Sequence, residues 1–294
     1  MSRWRPSVAV VGGAILLGAP CAAQVIPLQE RTFNEQILRP SGQPVVPLFD
    51  GWYPNPDGTY GMCFGYFNLN TVEAVDVPLG PDNFIEPSAF DGMQPTHFDP
   101  VPAANYRRHF CVVSVRVPED FGQGSVVWTL RTGGETLSTP GKLLPPYILD
   151  EPESGGRGVV APFLSFDVDG PSFQGRTGFT AASRTAVVGD PITLSVWVDH
   201  PAPRSWVGWT QHQGPGKIEF GRPEMMVDRP GRDGRVPVDG RSSATVSRRA
   251  FATTTATFSV PGEYVVRVQS IYSTTSFEYH CCWTNGYIPV TVTR

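Results

Sequence analysis

The chain is predicted to be all-β, folded as two β-sandwich domains, and three observations carry that prediction. Short runs rich in Val, Thr, Phe and Tyr recur along the whole length, and 31 Gly and 30 Pro among 294 residues punctuate them. Turn residues at such intervals leave room for short strands. Long helical periodicity is hard to find, whereas strict apolar–polar alternation, the period of a half-buried strand, is frequent. Finally, the length exceeds the roughly 100–150 residues of one domain, so two hydrophobic cores are expected. The Gly and Pro content stays under the level of low-complexity chains, and an aromatic content of 11% argues against disorder.

Residues 1–23 are read first. Arg3 and Arg5 precede an apolar run from Val8 to Leu17, which ends in Gly18-Ala19-Pro20 and Cys21-Ala22-Ala23. A basic start, an apolar middle and small residues at the end describe a secretory signal peptide, cleaved after Ala23. The run is shorter than the ~20 residues that cross a bilayer, so no membrane span is expected. Pro20 stands before Cys21 where a lipoprotein signal calls for a small, flexible residue. Export implies a periplasmic or extracellular protein. Without Arg3 and Arg5 the formal charge of −4 becomes −6. An acidic chain lacks the basic surface that nucleic acid requires.

Residues 24–45 read as an extended polar lead-in, and residues 46–145 as an N-terminal β-rich domain. Asn55-Pro56-Asp57-Gly58 lies between two aromatic runs and is a hairpin signal. From Pro78 to Tyr106 six prolines interrupt the chain, so this stretch reads as a long ordered loop. His109 to Val117 is a strand with Cys111, Val113, Val115 and Val117 on one face. Ser125 to Thr132 is another, and Gly133-Gly134 turns into Glu135 to Thr139. Residues 146–158 form a Pro- and Gly-rich linker.

The second domain, residues 159–294, opens with a strand from Val159 to Asp169, followed by an irregular Gly-rich passage. Ile192, Leu194, Val196 and Val198 alternate with Thr193, Ser195 and Trp197. Val207-Gly208-Trp209 and Ile218-Glu219-Phe220 supply two more strands. Ala256, Phe258 and Val260, then Tyr264, Val266 and Val268, alternate on either side of Pro261-Gly262. Ile288, Val290 and Val292 mark the last strand.

The stretches VGDPITLSVWV, VGWTQHQGPGKIEF, ATFSVPGEYVVRV and YIPVTVT resemble the immunoglobulin-like and PKD-like sandwich repeats of secreted bacterial proteins. The resemblance implies an immunoglobulin-like C-terminal sandwich. It also implies a tyrosine corner at Tyr264, whose phenol ties the turn to nearby backbone. The Trp-x-Phe-Gly-Asp-Gly signature of PKD repeats is absent, and Gln213-Gly214-Pro215-Gly216 stands in its region. FGYFNLN, LGPDNF, QPTHF and VVWTL are similar to a domain that precedes such sandwiches in an uncharacterised secreted bacterial family. It carries no activity over, and fold does not fix function.

Removal of the signal leaves Cys63, Cys111, Cys281 and Cys282, an even number in an exported chain, which favours disulfides. Cys63 and Cys111 sit in two strands of the first domain and are expected to pair. Adjacent Cys281-Cys282 allow a vicinal bridge, free thiols or other pairings. His280 beside them, with His200 and His212 in the same domain, lacks the spacing of a metal site, and Asp167-x-Asp169-Gly170 reads as a turn. No metal and no cofactor are expected. No Gly-x-Ser-x-Gly or His-Glu-x-x-His occurs, and no catalytic residue is assigned. His97 in the proline-rich loop is the one position around which a hydrolase site is conceivable.

Aromatic residues gather in the second domain. Trp209 fits a core position, whereas Trp197, Trp206, Trp283 and Tyr287 are candidates for ligand binding. Residues 222–249 hold seven arginines against four acids and read as a surface excursion. The function this supports is that of an exported, non-catalytic binding or scaffolding protein of the envelope or extracellular space. Its expected partner is an envelope polysaccharide or a protein. The alternatives are a carbohydrate-binding module using the second-domain aromatics and a hydrolase near His97.

Overall fold

The turn at Asn55-Pro56-Asp57-Gly58 closes the first hairpin. Asn55 N–H donates to the Thr59 carbonyl at 2.8 Å, and the Asp57 carboxylate accepts the Thr59 hydroxyl at 2.6 Å. The computed structural model describes residues 39–100, 108–149, 161–200, 204–228, 249–271 and 283–294. The first half supplies β1 (Val45–Pro54), β2 (Tyr60–Asn68), β3 (Val75–Asp76), β4 (Asn83–Glu86), β5 (His97–Phe98), β6 (Arg108–Val117), β7 (Val126–Thr132) and β8 (Glu135–Gly141).

Two antiparallel sheets, β1-β2-β6 and β4-β7-β8, enclose a core that includes Met62, Phe64, Ile85, Phe98, Val113, Val115, Trp128 and Leu130. The stretch expected to be loop from Pro78 onward contains β4, which pairs with β7 at the sheet edge. Pro81 and Pro87 flank it and leave its ladder bonds intact, so the prolines delimit a short edge strand. The Pro145–Tyr147 turn is followed by Leu149, whose N–H donates to the Trp52 carbonyl at 2.8 Å. The described start of the linker therefore packs on the first sandwich.

A bulge in β6 departs from simple alternation. Phe64 pairs with Val113 and Tyr66 with His109, so Gly65 alone faces Phe110 to Val112. A Cβ on Gly65 would lie 2.2 Å from the His109 carbonyl oxygen, so only glycine admits this approach. Cys111 adopts φ 41°, rare for a residue with a side chain, and donates its N–H to Asp50 Oδ2 at 2.6 Å. Cys111 therefore leaves the face of Val113, Val115 and Val117 and joins a separate cluster with Tyr53, Leu149 and Trp283. There it bonds Cys63, the expected disulfide, with Cα atoms 4.8 Å apart across a separation of 48 residues. Replacing Cys63 and Cys111 together with alanine is expected to lower stability by about 3 kcal/mol. Urea denaturation checks this, and an unchanged midpoint would count against it.

The second half supplies β9 (Phe163–Ser165), β10 (Phe179–Thr180), β11 (Arg184–Val187), β12 (Ile192–Asp199), β13 (Arg204–Gln213), β14 (Ile218–Phe220), β15 (Glu224–Asp228), β16 (Ala250–Phe258), β17 (Gly262–Ile271) and β18 (Trp283–Thr293). One sheet runs β14-β16-β12-β9. The other runs β10-β18-β17-β13-β15, with β11 parallel to β18. The chain thus crosses from one sheet to the other between β9 and β11, and the last two strands form the centre of the second sheet. This strand order is that of an immunoglobulin-like sandwich. Trp209 fills its core from β13, and the Tyr264 hydroxyl donates to the Val260 carbonyl at 2.9 Å, the tyrosine corner. The strand expected within Val159–Asp169 is confined to β9 among the described residues, because Asp167 to Gly170 closes a turn. The arginine-rich excursion begins with β15 paired to β13, while residues 229–248 lie outside the described residues.

Candidate functional site

Side chains on β18 and β17 alternate between the core and the outer face of the second sheet, so Trp283, Asn285 and Tyr287 point outward. That pattern normally means exposure. Here Trp283 and Tyr287 are only 3% and 4% exposed, because the first sandwich packs on that face. The β6 bulge makes the contact. The Tyr287 hydroxyl donates to the Val112 carbonyl at 3.1 Å, and Asn285 Nδ2 donates to the Cys111 carbonyl at 3.1 Å and the Arg176 carbonyl at 2.8 Å. Arg267 Nε and Nη2 donate to Asn285 Oδ1 at 3.1 and 3.0 Å. The Arg176 guanidinium lies 4.8 Å from the Tyr53 ring centroid and 5.3 Å from that of Trp283. Farther along, His212 Nε2 donates to the Met93 carbonyl at 2.8 Å, and Gln213 Nε2 to the Gly92 and Gln94 carbonyls at 2.9 and 2.7 Å. Trp283 and Tyr287 therefore serve the seam and offer no ring face to a ligand, a correction to the sequence expectation.

The described histidines His97, His109 and His212 are engaged in structural bonds. His97 Nδ1 meets Asp76 Oδ1 at 2.6 Å and Nε2 meets Asp99 Oδ1 at 3.1 Å. Burial alone would lower its pKa, but the hydrogen bonds and charges of the two carboxylates outweigh burial and raise it to about 9. A ring protonated on both nitrogens has no lone pair for general-base work. His109 stacks on Tyr66 with centroids 4.4 Å apart and donates to the Asp99 carbonyl at 3.1 Å. Burial, with Arg267 nearby, pushes His109 and His212 down to about 4, so both are neutral donors. Among the described residues no group of three His, Cys, Asp or Glu is placed to hold a metal ion. His280, Cys281 and Cys282 lie outside the described residues.

Two aromatic surfaces remain open. On the β14-β16-β12-β9 sheet, Trp197 lies opposite Phe251 with centroids 5.2 Å apart, and Phe251 is 52% exposed. β9 pairs with β12 only from Trp197 to Asp199, which leaves the rest of that β12 edge without a neighbouring strand among the described residues. A groove of about 560 Å³ opens there, lined by Trp197, Phe166, Ser195, Thr193, Arg184 and Asp167 among others. On the second sheet, at the margin of the seam, Trp206 lies beside Glu224 and Met226 of β15. Sequence reading marked Trp197 and Trp206 but missed Phe251, Met226 and Gly208. A glycine two positions after an outward tryptophan on one strand signals a ring lying flat on backbone.

No protein-family model and no curated protein sequence matches the chain. Solved structures similar to it include the D00–D0 domain of intimin, at 12% identity over 85% of this chain and 100% of that one, with a TM-score of 0.26. Domains 4 and 5 of the S-layer protein SbsC match at 12% identity over 58% of this chain and 66% of that one, TM-score 0.25. A titin immunoglobulin tandem matches at 10% identity over 85% and 99%, TM-score 0.21. Superpositions this loose carry no argument about fold or function, and the sandwich assignment rests on strand order and the tyrosine corner.

Proposed function

We propose that this chain is an exported, non-catalytic binding protein of the cell envelope or extracellular space. Its signal segment ends at Ala23, and residues 46–145 and 159–294 form its two sandwich domains. The observation that carries the reading is the display of aromatic rings on both outer faces of the second sandwich, while His97, His109 and His212 are consumed in structural bonds. Flat sheets bearing partly exposed aromatics suit recognition of an extended partner, since such rings concentrate binding energy. Export is supported by the Cys63–Cys111 bridge, which persists in oxidising compartments. No described helix is long and apolar enough to cross a membrane. The partner is an envelope polysaccharide or an envelope protein. Co-sedimentation of the signal-free protein with peptidoglycan, surface polysaccharide and membrane vesicles from its source tests the reading. Selective retention on one fraction supports it, and no retention on any fraction overturns it.

A further inference from the structure

Trp206 stands on the outer face of the second sheet at the margin of the seam, opposite Ile271, and is partly exposed. Its indole does not project from the sheet. A Cβ placed on Gly208, the next outward position of β13, would lie 2.0 Å from Trp206 Cη2 and 2.5 Å from Cζ2. The six-membered ring therefore rests on the Gly208 backbone, and Gly208 is buried beneath it. Trp206 Nε1 donates to Glu224 Oε2 at 3.2 Å, which fixes the ring's rotation in that plane. The sheet backbone occupies one π-face, and the ring is partly exposed, which leaves its other face as the candidate surface. Around it stand the half-exposed Met226 directly opposite, the exposed Glu224, and the exposed pair in which Arg204 Nε donates to Asp228 Oδ1 at 2.5 Å.

We infer that Trp206 on Gly208 is a stacking platform for a neutral glycan whose pyranose hydroxyls are equatorial. Resting on the binding-protein reading above, the inference names that protein's ligand class and its site. The outward π-face is electron-rich, and an all-equatorial pyranose presents a flat face of weakly positive C–H groups that matches it. The surrounding charge selects among glycans. Among the described residues around the ring, Glu224 and Asp228 give two negative charges against Arg204, which Asp228 already engages, so these side chains disfavour uronate- or phosphate-bearing chains. The same carboxylates accept hydroxyl hydrogens, and the guanidinium donates to hydroxyl oxygens. The ring is held before any ligand arrives, so little side-chain freedom is lost on binding.

Titration of the signal-free protein with cellohexaose, chitohexaose and hexagalacturonate, followed by calorimetry and tryptophan fluorescence, tests the site. Binding of cellohexaose, chitohexaose or both is expected, with hexagalacturonate at least tenfold weaker. A response to chitohexaose alone identifies an N-acetylated envelope glycan, and one to cellohexaose alone a plain glucan. Trp206→Ala is expected to weaken binding at least tenfold. Gly208→Ala, which keeps the indole but lifts it off the backbone, should do nearly the same. Glu224→Gln, which removes a charge and keeps an oxygen to accept the indole N–H, should reduce the discrimination against hexagalacturonate. The inference fails if neither neutral hexaose binds, if Trp206→Ala binds them as the parent does, or if hexagalacturonate binds as well. Should Trp206→Ala still be retained on an envelope fraction, the binding-protein reading stands and this site falls. If the parent is retained on none, the wider reading falls.

Discussion

Replacing Asn285 with alanine is expected to lower stability by about 4 kcal/mol, far beyond the usual effect of one lost hydrogen bond. Asn285 sits fully buried between the two sandwiches, and its side chain serves five bonds at once, one of them a long one from Gln269 Nε2 at 3.5 Å. Its Oδ1 accepts both Nε and Nη2 of Arg267, and its Nδ2 reaches the carbonyls of Cys111 and Arg176. Truncation takes this acceptor from Arg267, which is only 6% exposed, and takes the Asn285 donor from two carbonyls. A buried guanidinium stripped of a hydrogen-bond acceptor costs several kcal/mol, because water cannot replace the lost bonds. Adding Arg267→Met to Asn285→Ala removes that charge and should restore at least about 1 kcal/mol, a coupling expected of residues in direct contact. Urea denaturation of the parent, both single variants and the double variant measures it. Strict additivity would show that Arg267 does not depend on Asn285.

The features legible in the sequence are those written locally. The hairpin at Asp57-Gly58, the turn at Gly133-Gly134 and the corner at Tyr264 each depend on residues a few positions apart, and the structure has all three. Alternation in β12 likewise marked Leu194, Val196 and Val198 as core and turned Trp197 outward. What stayed hidden depends on partners far along the chain. Trp283 and Tyr287 occupy outward positions and are buried by distant segments, Trp283 among Tyr53, Cys111 and Leu149 and Tyr287 against Val112. The approach of Cys111 and Val112 needs the β6 bulge, which breaks the two-residue period on which any facing argument relies. Its single local clue is Gly65, one glycine among many. At the Trp206 surface the clue was present in Trp206-Val207-Gly208, but a missing side chain is easily passed over beside a large one.

Stability is expected to decline as pH falls from 6.5 toward 4, and the seam is the cause. His109 and His212 have pKa values near 4 because burial, helped by the Arg267 charge, opposes protonation. In the unfolded chain both titrate at about 6.5. Between these values the unfolded chain takes up protons that the folded seam refuses. Their contribution is therefore complete above pH 6.5 and is lost as pH falls through that window. At about 1.4 kcal/mol per pKa unit, each ring accounts for on the order of 3 kcal/mol at the acid end. His97 cannot compensate, since its raised pKa of about 9 makes its contribution already complete below pH 6.5, and that contribution is lost only as pH rises through 9. Carboxylates also begin to titrate near the acid end, so the parent's slope alone does not isolate the histidines. His212→Gln keeps an N–H donor for the Met93 carbonyl and removes the titration. It should lose close to half of the histidine-dependent decline when urea midpoints are compared between pH 4 and 7. If this variant follows the parent's pH profile unchanged, His212 does not carry the acid sensitivity of the seam. Ring resonances of His97 and His212 titrating near 9 and 4 would give the same assignment by an independent route.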